Sequence, residues 1–198
     1  MSATDLPTTI LETRGDNTNI AVRQLMVLLT WTGDPDLDLL AFYAAKDGRT
    51  GGVFSNRYPG GSQGDINHFP FIELTDDAGD APLTASENQE ILQISELGDM
   101  AEVYIVAINY SDAVANISSR FQDYGGTVIV MNERWETVKV PLNSSETGHV
   151  AVICKIENID LRESPRLVNV NKIMDYKEFM TTIPGAGMFI RVKADRAR

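Results

Sequence analysis

The sequence predicts an all-β fold: a β-sandwich of two packed, mainly antiparallel sheets with one short C-terminal helix. Three observations support this class. Apolar and β-branched residues alternate with polar ones at a period of two, the stretches that do so are short, and polar turns separate them. Many short strands joined by polar turns are typical of a sandwich, in which each sheet buries one face against the other.

The strands are predicted from this alternation. In chain order they cover residues 20–31, 37–45, 52–55, 69–74, 91–94, 103–108, 127–131, 137–140, 150–156, 167–173 and 188–192. Turn residues separate several of them, at Asp47-Gly48, Pro59-Gly60-Gly61, Gly125-Gly126 and Asn132-Glu133-Arg134. Short turns of this kind join neighbouring antiparallel strands.

A helix is predicted over residues 176–183, close to the C-terminus. Asp175 precedes it as a capping residue, and Glu178 follows three positions later, as in a capping box. Pro184 and Gly185 come directly after this stretch and are expected to end the helix. A second helical pattern covers residues 111–121.

Length and composition fit a single domain over residues 1–198, with a core at about 18–193. No stretch approaches the roughly 20 consecutive apolar residues that cross a bilayer. Residues 1–13 lack a basic start followed by an apolar run, so we expect no secretory signal. Cys154, the single cysteine, alternates with apolar residues and is expected to be a buried core residue. These features predict a cytoplasmic protein.

The negative charge is concentrated in the middle of the chain. The net charge is −11, and no Lys or Arg lies between Arg57 and Arg120. That segment contains eleven acidic residues: Asp65, Glu73, Asp76, Asp77, Asp80, Glu87, Glu90, Glu96, Asp99, Glu102 and Asp112. Such a balance argues against nucleic acid and against anionic membrane surfaces as partners. Either the segment is a solvated acidic face, or a cation completes it.

An alternating aspartate motif precedes and enters the second predicted strand. Asp34, Asp36 and Asp38 are two residues apart, so in an extended chain they point to one side, and Leu37 and Leu39 point to the other. Carboxylates about 7 Å apart repel unless a cation lies between them. Calcium suits this role because it takes about 6–8 oxygen ligands and tolerates irregular geometry.

The motif is not an EF-hand loop. Leu39 and Ala45 occupy the positions where that loop needs Gly and Glu, and the flanking segments read as strands. Three aspartates do not complete a calcium site, so a second source of ligands is needed. The polar segments 75–80 and 86–90 can supply it by folding onto the motif; their candidate ligands are Asp76, Asp77, Asp80, Glu87, Asn88 and Glu90.

At these residues the sequence resembles the TerD family of bacterial tellurium-resistance and stress proteins. The family's DxDLD motif follows a Trp-containing strand, and here Asp34-Pro35-Asp36-Leu37-Asp38 follows Leu29-Thr30-Trp31. The family's strand with an aromatic residue and an Asn corresponds here to Val53-Phe54-Ser55-Asn56. The family's acidic loop corresponds to Asp76-Asp77 and residues 87–90. The resemblance covers residues 20–190. The sequence departs from the family pattern in two ways. Residues 87–90 contain fewer Asp than the family's second acidic run, and Pro35 lies inside the aspartate motif.

The resemblance implies a β-sandwich with calcium held between loops at one end, tellurite resistance or chemical stress as the setting, and no established catalytic activity. It carries over first to Asp36, Asp38, Asp76 and Asp77, and then to Asp34, Asp80, Glu87, Asn88 and Glu90. Other stress-response proteins are expected partners. Two alternatives remain: a metal-dependent hydrolase that uses the same acidic cluster, and an acidic protein-interaction module without metal.

Overall fold

The computed structural model describes residues 7–20, 24–75, 88–159 and 163–189, and its strands form two packed sheets. Sheet I contains, in spatial order, β1 (Thr8–Ile10), β11 (Thr137–Pro141), β10 (Thr127–Asn132), β3 (Leu25–Trp31), β8 (Asn88–Ile94), β7 (Ile72–Thr75) and β6 (Gly64–Asp65). Sheet II contains β2 (Asn17–Asn19), β13 (Arg166–Met174), β12 (Val150–Glu157), β9 (Met100–Asn109), β4 (Leu37–Ala45) and β5 (Thr50–Val53). Neighbouring strands are antiparallel except β1 and β11, which run parallel. The predicted mainly antiparallel sandwich is therefore confirmed.

The main core lies between the two sheets. Strand β4 shows how the sequence alternation builds it, because Leu37, Leu39 and Ala41 all belong to the buried cluster between the sheets. The residues between them face the other side of sheet II, where Leu40 and Phe42 are equally buried. A strand buried on both faces is apolar nearly throughout, and β4 is so from its third residue, Leu39, onward.

A second apolar layer covers the outer face of sheet II. Helix α2 (Tyr176–Thr182) packs there, with Phe179 edge-on to Phe42 at a centroid distance of 5.1 Å. Phe189, just beyond a short 3₁₀ turn, packs against Phe54 at 5.5 Å. Asp175 caps α2 by accepting a hydrogen bond of 2.7 Å from the Glu178 N–H, as the sequence predicted.

A second helix, α1 (Tyr110–Ala115), follows β9 directly and matches the first part of the helical pattern predicted over 111–121. Asn109 caps it by accepting from the Asp112 N–H. The rest of that prediction is corrected: Asn116 adopts a left-handed conformation that ends the helix, and Phe121–Tyr124 form a separate 3₁₀ turn.

Most predicted strands are present with shifted ends. Strand β4 has the predicted bounds, whereas the prediction 52–55 is displaced to Thr50–Val53, and 69–74 begins only at Ile72 because a turn with a cis Phe69–Pro70 bond precedes it. The strand predicted over 188–192 is wrong in its described part, since Met188 ends a 3₁₀ turn. The short strands β1, β2 and β6 were not predicted because they are too short to show an alternation.

Among the described residues, no helix is long and apolar enough to cross a membrane.

Candidate functional site

The aspartate motif is fixed at the point where β4 begins. The Trp31 indole N–H donates to the carbonyl of Pro35 at 2.7 Å, and the Tyr110 N–H donates to the carbonyl of Asp36 at 2.8 Å. Gly33 has a φ of +83°, which lets the chain turn sharply before the motif. Pro35 lies before the strand proper, as expected from its missing N–H.

The first half of β4 has a strand neighbour on one side only. Strand β5 ends at Val53, opposite Ala41, so residues 37–40 are paired with β9 alone. The Leu39 N–H in this stretch donates to the carboxylate of Glu90, which comes from β8 in the other sheet. A side chain of sheet I thus binds the backbone of sheet II at one end of the sandwich.

Glu90 points toward the space between the sheets, on the same face of β8 as the core residues Leu92 and Ile94. Burial raises the pKa of the Glu90 carboxyl to about 8. The hydrogen bond from Leu39 opposes this change, and the nearby carboxylates of Asp38 and Asp36 add to it. A carboxyl in this setting retains its proton near neutral pH unless a cation stabilises the charged form.

Asp38 is the one buried aspartate of the motif, at 1% exposure. The Tyr58 hydroxyl donates to its Oδ2 at 2.5 Å, and the Arg57 guanidinium donates to its Oδ1 at 3.2 Å. Burial raises the pKa of Asp38, while the bonds from Tyr58 and Arg57 work in the opposite direction. Burial and the Asp38 charge also raise the pKa of Tyr58, so its hydroxyl stays a donor.

Arg57 joins two aspartates of the motif. It donates to Asp36 Oδ2 at 2.6 Å in addition to Asp38, and its guanidinium carbon lies 4.0 Å from the centre of the Tyr110 ring. The hydrogen bond to Asp36 contributes most to the raised pKa of Arg57. The guanidinium is therefore the cation that these two carboxylates share in this structure.

A fourth acidic residue at this end, Asp112, has a different role. Its Oδ2 accepts from the hydroxyl of Ser119 at 2.6 Å and from the side-chain amide of Asn109 at 3.1 Å, and the Tyr124 hydroxyl lies 3.3 Å away. These contacts join the start of α1 to the following loop. Asp112 therefore supports the local fold.

The structure brings together part of the predicted ligand set. Asp36 and Asp38 share one side of β4 as predicted, and Glu90 reaches the next backbone N–H. Asn88 begins β8 and donates through its side-chain amide to the carbonyl of Gly33 at 2.7 Å. Asp34 lies in the turn before β4 and is exposed, so it does not share the position of the other two aspartates.

The remaining predicted ligands, Asp76, Asp77, Asp80 and Glu87, lie outside the described residues. Within the ranges that the structure describes, no group of three or more His, Cys, Asp or Glu side chains is placed to hold a metal ion. Arg57 and Tyr58 instead engage both carboxylate oxygens of Asp38 and one of Asp36.

The donor chemistry of the site nonetheless fits a hard cation. The carboxylates of Asp36, Asp38 and Glu90 offer oxygen atoms, and Glu90 carries its charge only at a cost. A divalent ion would remove that cost by supplying positive charge. Segment 76–87 rejoins the described chain at Asn88, whose side chain contacts the turn before the motif.

Sequence reasoning missed the arginine and the two tyrosines of the site. Arg57 and Tyr58 lie in the loop after β5, and Tyr110 begins α1. One signal for Arg57 was present, because it is the last basic residue before the acid-only segment. No local pattern indicates that Tyr58 donates to Asp38, 20 positions earlier.

No protein-family model and no curated protein matches the chain. Solved structures similar to it include a homologue of the telluride resistance protein TerD from Streptomyces coelicolor A3(2), with 15% identity, a TM-score of 0.49, and coverage of 78% of this chain and 92% of that one. Another is SAV2460, a protein of unknown function, with 12% identity, a TM-score of 0.52, and coverage of 77% and 92%. A TerD homologue is thus among the solved structures similar to this chain, and at these identities the likeness concerns the fold alone.

Proposed function

We propose that this protein is a non-enzymatic, calcium-binding protein of the tellurite-resistance and chemical-stress type. Its cation site is placed at the end of the sandwich where β4 and β8 begin. The site is formed by carboxylates from both sheets. Calcium is preferred over transition metals because the described donors are carboxylate oxygens, with neither Cys nor His among them.

One observation carries the proposal: Glu90 from sheet I and Asp38 from sheet II meet at neighbouring positions of β4, and burial raises the pKa of both. Carboxylates that are costly to ionise at one place form a site that gains most from an added cation. A single guanidinium, that of Arg57, faces these carboxylates in the described part.

Asp36, Asp38 and Glu90 would contribute to the site together with ligands outside the described residues, and the ion would supply the positive charge that lets Glu90 lose its proton. Calcium takes about 6–8 oxygen ligands, more than these side chains provide. The prediction that Asp76, Asp77, Asp80 and Glu87 complete the site therefore stays part of the proposal. Asn88 and the exposed Asp34 are candidate ligands at the edge of this site.

A second function is favoured by a different observation. The hydrogen bonds from Arg57 and Tyr58 already satisfy Asp36 and Asp38 without any metal. This arrangement fits an acidic interaction module in which the carboxylates are structural and the surrounding acidic face binds a basic partner. Such binding would be lost at high salt and would ignore a chelator.

Calcium-dependent thermal stability tests the leading proposal. A ligand that binds only the folded state at a concentration about 100 times its Kd adds about 2.7 kcal/mol to the free energy of unfolding. For a chain of this size we expect millimolar calcium to raise the Tm of chelator-stripped protein by roughly 5–10 °C. A melting curve that millimolar calcium leaves in place would contradict the proposal.

The chain offers a matched pair of variants for this measurement. Asp36 and Asp47 each have a partly exposed side chain, 45% and 53%, and each pairs with one arginine at 2.6 Å. We expect Asp36→Asn to lose most of the calcium-induced rise and Asp47→Asn to keep it. Equal rises in the two variants would place the calcium away from the aspartate motif.

A further inference from the structure

Two arginines of this protein make nearly the same contacts in different places. Arg49 pairs with Asp47 and lies 3.7 Å from the centre of the Phe69 ring. Arg57 pairs with Asp36 and Asp38 and lies 4.0 Å from the centre of the Tyr110 ring. The difference is that Arg57 uses the carboxylate oxygens that the proposed cation would need.

A guanidinium and a calcium ion compete for these oxygens. Calcium binds carboxylate oxygen at about 2.3–2.6 Å, and Arg57 Nη2 already lies 2.6 Å from Asp36 Oδ2. A divalent ion bound there would face the positive charge of Arg57 at close range, where like charges repel strongly. Binding of the metal at these oxygens therefore favours departure of the guanidinium.

The two neighbours in the loop after β5 differ in their freedom to move. The Arg57 side chain is 43% exposed, and its guanidinium lies over the ring of Tyr110. Tyr58 is 1% exposed and packs against Phe54 and Phe189, so it stays in place. Withdrawal of Arg57 would leave Asp38 with its bond from Tyr58 and open one of its oxygens.

We propose that Arg57 is a tethered competitor of the cation site, bound to Asp36 and Asp38 when the metal is absent and displaced when a divalent ion binds. This inference rests on the proposed function. The guanidinium raises the metal concentration needed for binding, because the metal must outcompete a cation that is always present at the site. Monovalent ions bring no more charge than Arg57 does and do not displace it, whereas a divalent ion brings twice that charge.

The test is isothermal titration of calcium into chelator-stripped full-length protein, with the variants Arg57→Gln, Arg57→Lys and Arg49→Gln. Charge-assisted hydrogen bonds of this kind correspond to roughly a tenfold change in an equilibrium constant. We expect Arg57→Gln to bind calcium about tenfold more tightly than wild type, and Arg57→Lys to fall between the two because it keeps the charge but loses the two-pronged contact. Arg49→Gln should bind as wild type does.

The outcomes separate this inference from the proposed function. If wild type and Arg57→Gln bind calcium equally, or if the variant binds more weakly, Arg57 is no competitor although the calcium site stands. If neither protein binds calcium, both ideas fail together. Circular dichroism in chelator confirms that each variant folds. Should Arg57→Gln not fold, the requirement that Arg57→Lys bind more tightly than wild type keeps the inference testable.

Discussion

The two halves of β4 differ in what borders them. The second half, from Ala41 to Ala44, lies between β5 and β9 and is apolar on both faces. The first half, Leu37–Leu40, is paired with β9 alone, and its other edge meets Glu90 and the loop that carries Arg57 and Tyr58. The sandwich therefore has a continuous core and, where one strand stops early, a polar end.

This difference shows how the fold positions a site without disturbing the core. A strand with an unpaired edge leaves backbone N–H groups that need partners. Here the Leu39 N–H donates to the Glu90 carboxylate of the opposite sheet. Asp38 lies on the outer face, where the following residues of β4 carry apolar side chains. The early end of β5 creates both opportunities at neighbouring residues.

The largest expected effect lies in the apolar half of the strand. Phe42 is fully buried and packs on Phe54, Phe179 and Phe189, so truncation removes contacts with the loop, α2 and the C-terminal segment at once. We expect Phe42→Ala to lower the free energy of unfolding by about 3–5 kcal/mol. Urea unfolding followed by circular dichroism measures this. A loss below about 1 kcal/mol would mean that the outer layer contributes little.

A somewhat smaller effect is expected in the polar half. Asp38→Ala leaves the buried Tyr58 hydroxyl without its acceptor and removes one partner of Arg57, and we expect a loss of about 3 kcal/mol. Asp36→Ala is the matched control, because its side chain is half exposed and its ion pair with Arg57 contributes about 1 kcal/mol or less. Urea unfolding in chelator compares the two, and similar losses would show that burial does not distinguish these aspartates.

A pH-dependent effect of Glu90 sharpens the comparison. Its folded pKa of about 8 lies above the ordinary glutamate value of 4.5, so the folded state binds more protons between these values. The stability that protonated Glu90 contributes is therefore fully present below about pH 4.5. It is lost as the pH rises through about 8. We expect Glu90→Gln, whose amide oxygen can still accept from Leu39, to gain stability over wild type on the order of 2 kcal/mol between about pH 5 and about pH 9.

Thermal melts across this pH range in chelator test the prediction. Asp38 also has a raised pKa, and its contribution has the same sign in both proteins, so the difference between variant and wild type isolates Glu90. Parallel pH profiles for the two proteins would show that Glu90 titrates as an exposed carboxyl does.

The sequence by itself determined most of the fold. Apolar and β-branched stretches bounded by polar turns defined β4 to the residue and located most of the longer strands, because the side chains of a buried strand repeat on each face at every second position. Capping chemistry located α2 because Asp175 and Glu178 interact within one helical turn, which makes the signal local in the sequence. The aspartate motif was equally visible, as its residues are two apart in the chain.

Only the tertiary structure decided what those aspartates meet. Arg57 and Tyr58 reach Asp38 from 19 and 20 positions away, and Glu90 reaches Leu39 from 51 positions away. Local periodicity carries no information about such distances, which depend on where β5 ends and how the two sheets stack. The sequence showed that carboxylates gather in this region. Folding determined that the cation they contact in this structure is Arg57 of the same chain.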